Sequence, residues 1–320
     1  MGCPGEQTRP RKWQARVHSG PLGPAQADQV RITKKGDSVK IARRISAGAF
    51  AGLLALSLTG CGSASSSALS SSCSKSGLAT LTPGTLTIAT GTPAYYPWVI
   101  DDKPETGKGF EAAVAYAVAT KLGFANSDVK WTRTTFDGAV APGAKTFDFN
   151  LQQFTITDER KKAVDFSSAY YNAPQAVISY KGSPIDGKKE IVDLASAKLG
   201  AAVGTTSLDA IQNIIKPTNQ AQVFNDNAAA VQALKNKQVD GIVVDLPTAF
   251  YLSAVEIPNG IIVGQLPSDG KGDQFGLVLA KDSPITSCVT QAVDAIRNDG
   301  SLKKITDAWL AAGAGAPVLK

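Results

Sequence analysis

Apolar and polar positions along this chain switch repeatedly between a period of two and a period near 3.6. Leu86 and Ile88 alternate with polar neighbours over residues 85–90, and Phe147, Phe149 and Leu151 do the same over 147–151. Between them, Phe110, Val114, Val118 and Leu122 recur at helical spacing, and Gly123 ends the run. Residues 129–133, 177–181, 199–203 and 239–245 read as further strands. Helices are expected over 226–236 and 247–254, from Ser283-Pro284 to Gly300, and from Ser301 with Leu302, Ile305 and Trp309 inward. Pro142-Gly143 interrupts the helix that Phe136-Asp-Gly opens. Strands alternating with helices, broken once and resumed after a long insertion, predict two α/β lobes. Lobe 1 covers about 83–175 plus 277–320 and lobe 2 about 180–270, with crossing strands at 177–181 and 274–279.

The first 82 residues follow no such pattern. Residues 1–38 are polar and read as disordered, or as lying before the natural start. Lys40, Arg43 and Arg44 then precede an apolar run from Ile45 to Leu58, closed by Leu58-Thr59-Gly60-Cys61. This order is that of a secretory signal over 39–60, too short to span a bilayer comfortably. The ending resembles a bacterial lipobox, which implies cleavage before Cys61 and a lipid on its sulfur. A start at Val39 fits the absence of any methionine besides Met1. The Ser-rich stretch that follows, to about residue 82, is expected to be a flexible tether.

Composition changes the picture in three ways. The chain is 43% hydrophobic and 19% charged over 320 residues, enough for two globular lobes. Ten of the 33 basic but only three of the 27 acidic residues lie in the first 60 positions. The remainder is therefore near neutral, and the pI of about 9.0 gives no support to nucleic-acid binding. The single histidine, His18, precedes the expected cleavage point. Without it, the mature chain has no Ser-His-Asp triad, Cys-His pair or histidine metal site, and no cofactor or metal is expected. With Cys61 lipidated, Cys73 and Cys288 either pair in an oxidising compartment or leave Cys288 as a small buried hydrophobe on the stripe Ile285, Cys288, Val289, Ala292, Ile296.

Four stretches carry candidate chemistry. In the first, Gln152-Gln-Phe-Thr-Ile-Thr-Asp-Glu-Arg160, Thr157 offers an N-cap, and Arg160 can swing back toward Thr155 to make a fork for a carboxylate. The plainer reading is a solvated charged turn. Pro93-Ala-Tyr-Tyr-Pro-Trp98 places aromatics beyond the end of a strand, where open α/β sheets bind ligands. Gly204-Thr-Thr-Ser-Leu-Asp209 opens a helix with free N–H groups. Asp245 ends an apolar strand, either facing a ligand or capping the following helix. Glu111, in a helical first turn, reads as a complement to the helix dipole.

The run Phe-Thr-Ile-Thr-Asp-Glu-Arg-Lys-Lys-Ala-Val-Asp-Phe-Ser, from Phe154 to Ser167, resembles the family 3 extracellular solute-binding proteins, the amino-acid receptors of ABC importers. The likeness runs from about Pro83 to Trp309. It implies a two-lobed, periplasmic-binding-protein-like type II fold with two hinge crossings and a cleft between the lobes. By that resemblance Tyr95, with Trp98 behind it, faces Phe136 across an amino acid. Gln153, Thr155 and Arg160 join them from lobe 1. Thr205 and Thr206 meet the α-carboxylate from lobe 2, and Asp245 receives the α-ammonium. Thr92 stands where members taking basic amino acids are acidic, and Gln152 and Gln153 suit a polar side chain, so a polar or neutral ligand is expected. The implied partners are an ABC permease and the membrane, through the lipid on Cys61 at the outer face of the cell membrane. The chain itself is expected to be a monomer and not an enzyme. Two alternatives are a surface sensor of the same ligand and a cyclohexadienyl-dehydratase-like enzyme, for which Glu111 is the candidate acid or base.

Overall fold

Leu86, Ile88 and Ala89 are wholly buried on β1 (Leu86–Thr90), and the first sheet is built outward from that strand. The computed structural model describes residues 71–268, 272–310 and 315–320. The expected extension 1–38, signal segment 39–60, Cys61 and the first part of the Ser-rich run lie outside these residues. In chain order the remaining strands are β2 (Val129–Arg133), β3 (Phe149–Asn150), β4 (Val164–Phe166), β5 (Tyr171–Ala173), β6 (Gln175–Tyr180), β7 (Leu199–Ala202) and β8 (Gln222–Phe224). They continue with β9 (Gly241–Asp245), β10 (Gly260–Gln265), β11 (Asp273–Phe275) and β12 (Val278–Ala280). The helices are α1 (Phe110–Lys121), α2 (Phe136–Val140), α3 (Asp158–Lys161), α4 (Thr206–Ala210), α5 (Asn227–Lys235), α6 (Leu246–Tyr251), α7 (Thr286–Asn298) and α8 (Ser301–Trp309).

Two five-stranded sheets result, ordered β2-β1-β3-β12-β4 and β10-β6-β9-β7-β8. In the first, β1 is parallel to β2 and β3, while β12 runs antiparallel between β3 and β4. In the second, β7 is parallel to β8 and β9, and β6 is antiparallel to β9 and β10. The sheets are joined by a separate ribbon in which β5 pairs antiparallel with β11, Tyr171 opposite Phe275. Each lobe has its own core. Phe110, Phe149, Leu151 and Val289 are fully buried in the first, and Ile178, Leu199, Ile242 and Val243 in the second.

Three sequence expectations differ from what is observed. The first crossing is β5, not residues 177–181, which lie inside the second sheet as part of β6. An apolar run buried on both faces looks alike in a hinge and in a sheet. The chain end also departs from the first lobe: Val318 bridges to Gln265, and Leu319 packs in a second-lobe core. Of the stretch expected to be a flexible tether, finally, the described part, residues 71–82, is anchored to the first lobe. Cys73 and Leu78 sit in the first-lobe core, and Cys73 is bonded to Cys288 of α7, 215 residues away, with Cα atoms 5.1 Å apart. Cys288 is thus cross-linked and buried at once.

α1 begins where the chain folds back on the aromatic loop: Phe110 N donates to the Pro97 carbonyl, and Glu111 N to that of Trp98. Gly109, at φ 104°, makes this approach feasible, since a Cβ there would lie 2.5 Å from the Trp98 carbonyl oxygen. Glu111 does more than complement a helix end. It is only 1% exposed, and its carboxylate accepts from the backbone N and side-chain amide of Gln153 and from the Tyr170 hydroxyl. Gln153 has φ 53°, a left-handed conformation uncommon outside glycine. The buried carboxylate therefore pins a strained backbone position in place. Burial pushes the Glu111 carboxyl up to about 7 against the lowering effect of its hydrogen bonds.

Two outcomes follow from these features. The double substitution Cys73→Ser/Cys288→Ser removes a long-range cross-link and is expected to lower stability by about 3–5 kcal/mol in scanning calorimetry; an unchanged melting point contradicts that. Because the Glu111 pKa is raised in the folded state, ionising it opposes folding, so its stabilising effect is complete below about pH 4.5 and is lost as pH rises through about 7. The loss is about 3 kcal/mol, and Glu111→Gln should flatten that part of a urea-midpoint profile between pH 4.5 and 8. Parallel profiles for the two proteins would count against the assignment.

Candidate ligand-binding cleft

A cavity of about 410 Å³ lies between the two sheets. The first lobe contributes the loop 91–95 after β1, the start of α2, and Gln152, Gln153 and Thr155. The second lobe contributes the turn from Ala202 to Ser207, residues 225–227 at the start of α5, and the end of β9. Gln175, at the start of β6, and Phe275 of the ribbon also line it.

Tyr95 is carried on a loop that is tied down from two sides. Asp102 Oδ1 accepts from Ala94 N at 2.9 Å and pairs with Arg133, whose Nη1 also donates to the Gly91 carbonyl at 2.8 Å. The Tyr95 hydroxyl is buried and reaches toward the Ala228 amide of the second lobe without completing a hydrogen bond. Burial first, and the Asp226 carboxylate second, push it up to about 12. Trp98 does not face the cavity. It is 0% exposed among the rings of Phe110, Tyr171 and Phe275, and its Nε1 donates to Thr248 Oγ1 at 2.8 Å. Trp98 therefore lies behind Tyr95, and its expected place among the ligand-binding residues is not borne out: an indole this large finds its area in the core, and its N–H finds a partner there.

Phe136 lines the cavity as the first residue of α2, which Thr135 caps. Its ring packs on Phe154, with centroids 4.7 Å apart, and has the Arg160 guanidinium 5.2 Å away. Arg160 itself is not in the cavity wall. Thr157 caps α3 as expected, and Arg160 then turns back so that Nη1 donates to the Thr155 carbonyl at 2.7 Å and Nη2 to the Gly204 carbonyl at 2.8 Å. Those two carbonyls belong to different lobes. Burial depresses the guanidinium's pKa, while the Asp273 and Asp209 carboxylates act the other way.

Thr155, Thr205 and Thr206 line one stretch of the cavity. Gly204, at φ 70°, turns the chain so that Thr205 caps α4; its hydroxyl accepts from Leu208 N and donates to the Ala202 carbonyl. The Thr206 hydroxyl is engaged by Asp273. Both threonines therefore offer the cavity backbone N–H groups at a helix start rather than hydroxyls.

Asp245 is at once a residue of the cavity wall and a helix cap. At the start of α6 its Oδ1 accepts from Thr248 N at 3.0 Å and its Oδ2 from Thr248 Oγ1 at 2.9 Å. At 8% exposure its carboxyl is pushed up to about 6 by burial, the two hydrogen bonds opposing the shift. Thr248 links it to Trp98, so the deep tryptophan touches the site at one remove.

Four contributors are not visible in the pattern of the sequence. Asp137 and Asp226 line the cavity as a first-turn acid and a helix cap, roles that draw no notice in a sequence. Gln175 and Asp273 stand at the ends of hinge segments, where a polar residue opening an apolar run is the signal that could have found them. Glu111 lies beneath Gln153 and is not part of the wall. Among the described residues no group of histidine, cysteine, aspartate or glutamate could hold a metal ion, and no helix is long and apolar enough to cross a membrane.

Known proteins resemble this chain over more than two thirds of its length. A probable histidine-binding protein of Campylobacter jejuni is 31% identical over 221 residues, 68% of this chain and 82% of that protein. An ancestral arginine-binding protein, solved bound to arginine, superposes with a TM-score of 0.60 at 31% identity, covering 71% of this chain and 98% of the other. The structure of an ancestral arginine-binding protein bound to glutamine gives 0.61 at 30% identity, with 72% and 99% covered. The fold is that of the type II amino-acid-binding proteins, two lobes about a cleft. Residues 86–312 match the bacterial extracellular solute-binding proteins, family 3, and the chain belongs to that family.

Proposed function

We propose that this protein is an extracytoplasmic receptor that takes one free amino acid into the cleft between its lobes and hands it to an ABC-type import permease. The observation that carries the reading is the distribution of charge about the cavity. Asp245 supplies an anion from the second lobe, while the amides of Thr155, Thr205 and Thr206 line another stretch of the wall with the Arg160 guanidinium behind them. A zwitterion fits that dipole, its ammonium at Asp245 and its carboxylate at the amides, with Tyr95 and Phe136 on either side of its side chain. Arg160 then acts through the Thr155 and Gly204 carbonyls, holding the donor set in place and adding its field. Because such a ligand touches both lobes only when they close, its binding energy shifts the open–closed equilibrium, and the closed form is what the permease meets. The lipid on Cys61 would keep the receptor at the membrane. A sensor would use the same cleft and lack only the permease. The dehydratase reading has less support, because Glu111 is screened from the cavity by Gln153.

Gln152 and Thr92, both in the wall, suit a polar neutral side chain such as glutamine's. A second reading rests on Asp137 and Asp226, which face the same cavity and form no ion pair among the described residues. They suit a cationic side chain, and either reading excludes an acidic one.

A thermal-shift screen of the common amino acids should raise the melting point for one polar or basic group of them and leave it unmoved by aspartate and glutamate; no shift with any amino acid rejects the reading. With the best ligand, Asp245→Asn should cost about 3–5 kcal/mol of affinity by calorimetry, and Arg160→Ala, which acts through the Thr155 and Gly204 carbonyls, about 1–3 kcal/mol, while melting stays cooperative. Asparagine keeps the α6 cap, so that loss isolates the charge. Since only ionised Asp245 pairs with an ammonium, affinity should be flat above its pKa of about 6 and fall below it, by about tenfold at pH 5. Near-normal affinity in either variant defeats the proposed roles.

A further inference from the structure

Asp273 opens β11, the strand by which the chain returns from the second lobe to the first. One carboxylate oxygen, Oδ2, accepts three hydrogen bonds: from Thr155 Oγ1 at 3.1 Å, from Gln175 Nε2 at 2.7 Å and from Thr206 Oγ1 at 2.5 Å. Thr155 belongs to the first lobe, beside β3. Thr206 begins α4 of the second lobe, and Gln175 begins β6. The two threonine oxygens are themselves only 3.1 Å apart across the division between the lobes. Arg160, bonded to the Thr155 and Gly204 carbonyls, places its charge close enough for the Asp273 carboxylate to act on it.

We propose that Asp273 is a closure latch: a carboxylate on the hinge ribbon that holds Thr155 and Thr206 together and so favours the closed arrangement before any ligand arrives. The geometry supports this because the two hydroxyls belong to bodies that must separate when the cleft opens, while both of their protons go to one oxygen. Opening therefore requires that Asp273 release at least one of them, and hydrogen bonds to an ionised acceptor are the stronger kind. Asp273 is not in the cavity wall. It acts on affinity by setting how much of the free receptor is already closed, as a positioning residue, and the apparent affinity scales with that fraction. This effect on affinity rests on the amino-acid-receptor reading; the effect on closure does not.

The test compares small-angle X-ray scattering of the unliganded wild-type protein, Asp273→Asn and Thr206→Val, the last keeping Asp273 and the Thr206 amide while removing one bonded hydroxyl. The expected result is a larger radius of gyration for both variants than for the wild type, with saturating L-glutamine or L-arginine drawing them back and binding about tenfold more weakly. If all three unliganded proteins scatter alike and the variants merely melt at lower temperature, Asp273 is only a structural hinge residue and the proposal falls. If Asp273→Asn does not fold, Thr206→Val alone decides by the same comparison. Failure of the wild type to bind any amino acid would overturn the receptor reading and leave the scattering comparison intact.

Discussion

Two sheets, each with its own core, are held together by a ribbon only three residues wide, β5 against β11. Everything proposed for the site depends on that constraint. A narrow ribbon lets the lobes move as bodies once the contacts across the cleft, Trp98 to Thr248, Arg160 to Gly204 and the Asp273 cluster, are released. Half of the cavity wall comes from each side, so the site is complete only when the bodies meet. The last residues add a third connection, with Val318 and Leu319 docked on the second lobe after α8 has packed on the first.

Charge placement gives this arrangement its chemistry. Asp245 and Glu111 are both buried and both raised, yet they do different work. Asp245 faces the cavity and would pair with the ammonium of the proposed ligand; Glu111 lies outside the wall and is satisfied by Gln153 and Tyr170. Arg160 is the opposite case, a buried cation satisfied by carbonyls from two lobes. Burying a charge costs several kcal/mol unless it is paired or hydrogen-bonded. Each of these three is accordingly placed where its partners also fix the position of a cavity residue: Thr248 and α6, Gln153, or Thr155 and Gly204.

Much of the fold was legible because long periodic segments announce themselves. The β1 alternation, the α1 stripe and the Ser301 helix appear within a residue or two of where the pattern puts them. The hinge was misplaced because residues 177–179 are buried on both faces, a pattern shared by crossing strands and central strands. The site was legible to the extent that its residues sit at strand ends and helix starts, as Tyr95, Thr205 and Asp245 do. Side-chain direction was not. Trp98 turned inward to a hydroxyl 150 residues away, and Arg160 turned behind Phe136. Asp273 and Gln175 matter because of residues brought to them by the fold, which no local spacing records.

If one small zwitterion bridges both lobes, hydrogen–deuterium exchange with and without an equimolar mixture of the common amino acids should show ligand-dependent protection at residues 152–156 of the first lobe together with 203–208 and 245–248 of the second, leaving the outer faces of α1 and α7 unchanged. Protection confined to one lobe, or absent from both, would mean that no ligand joins them.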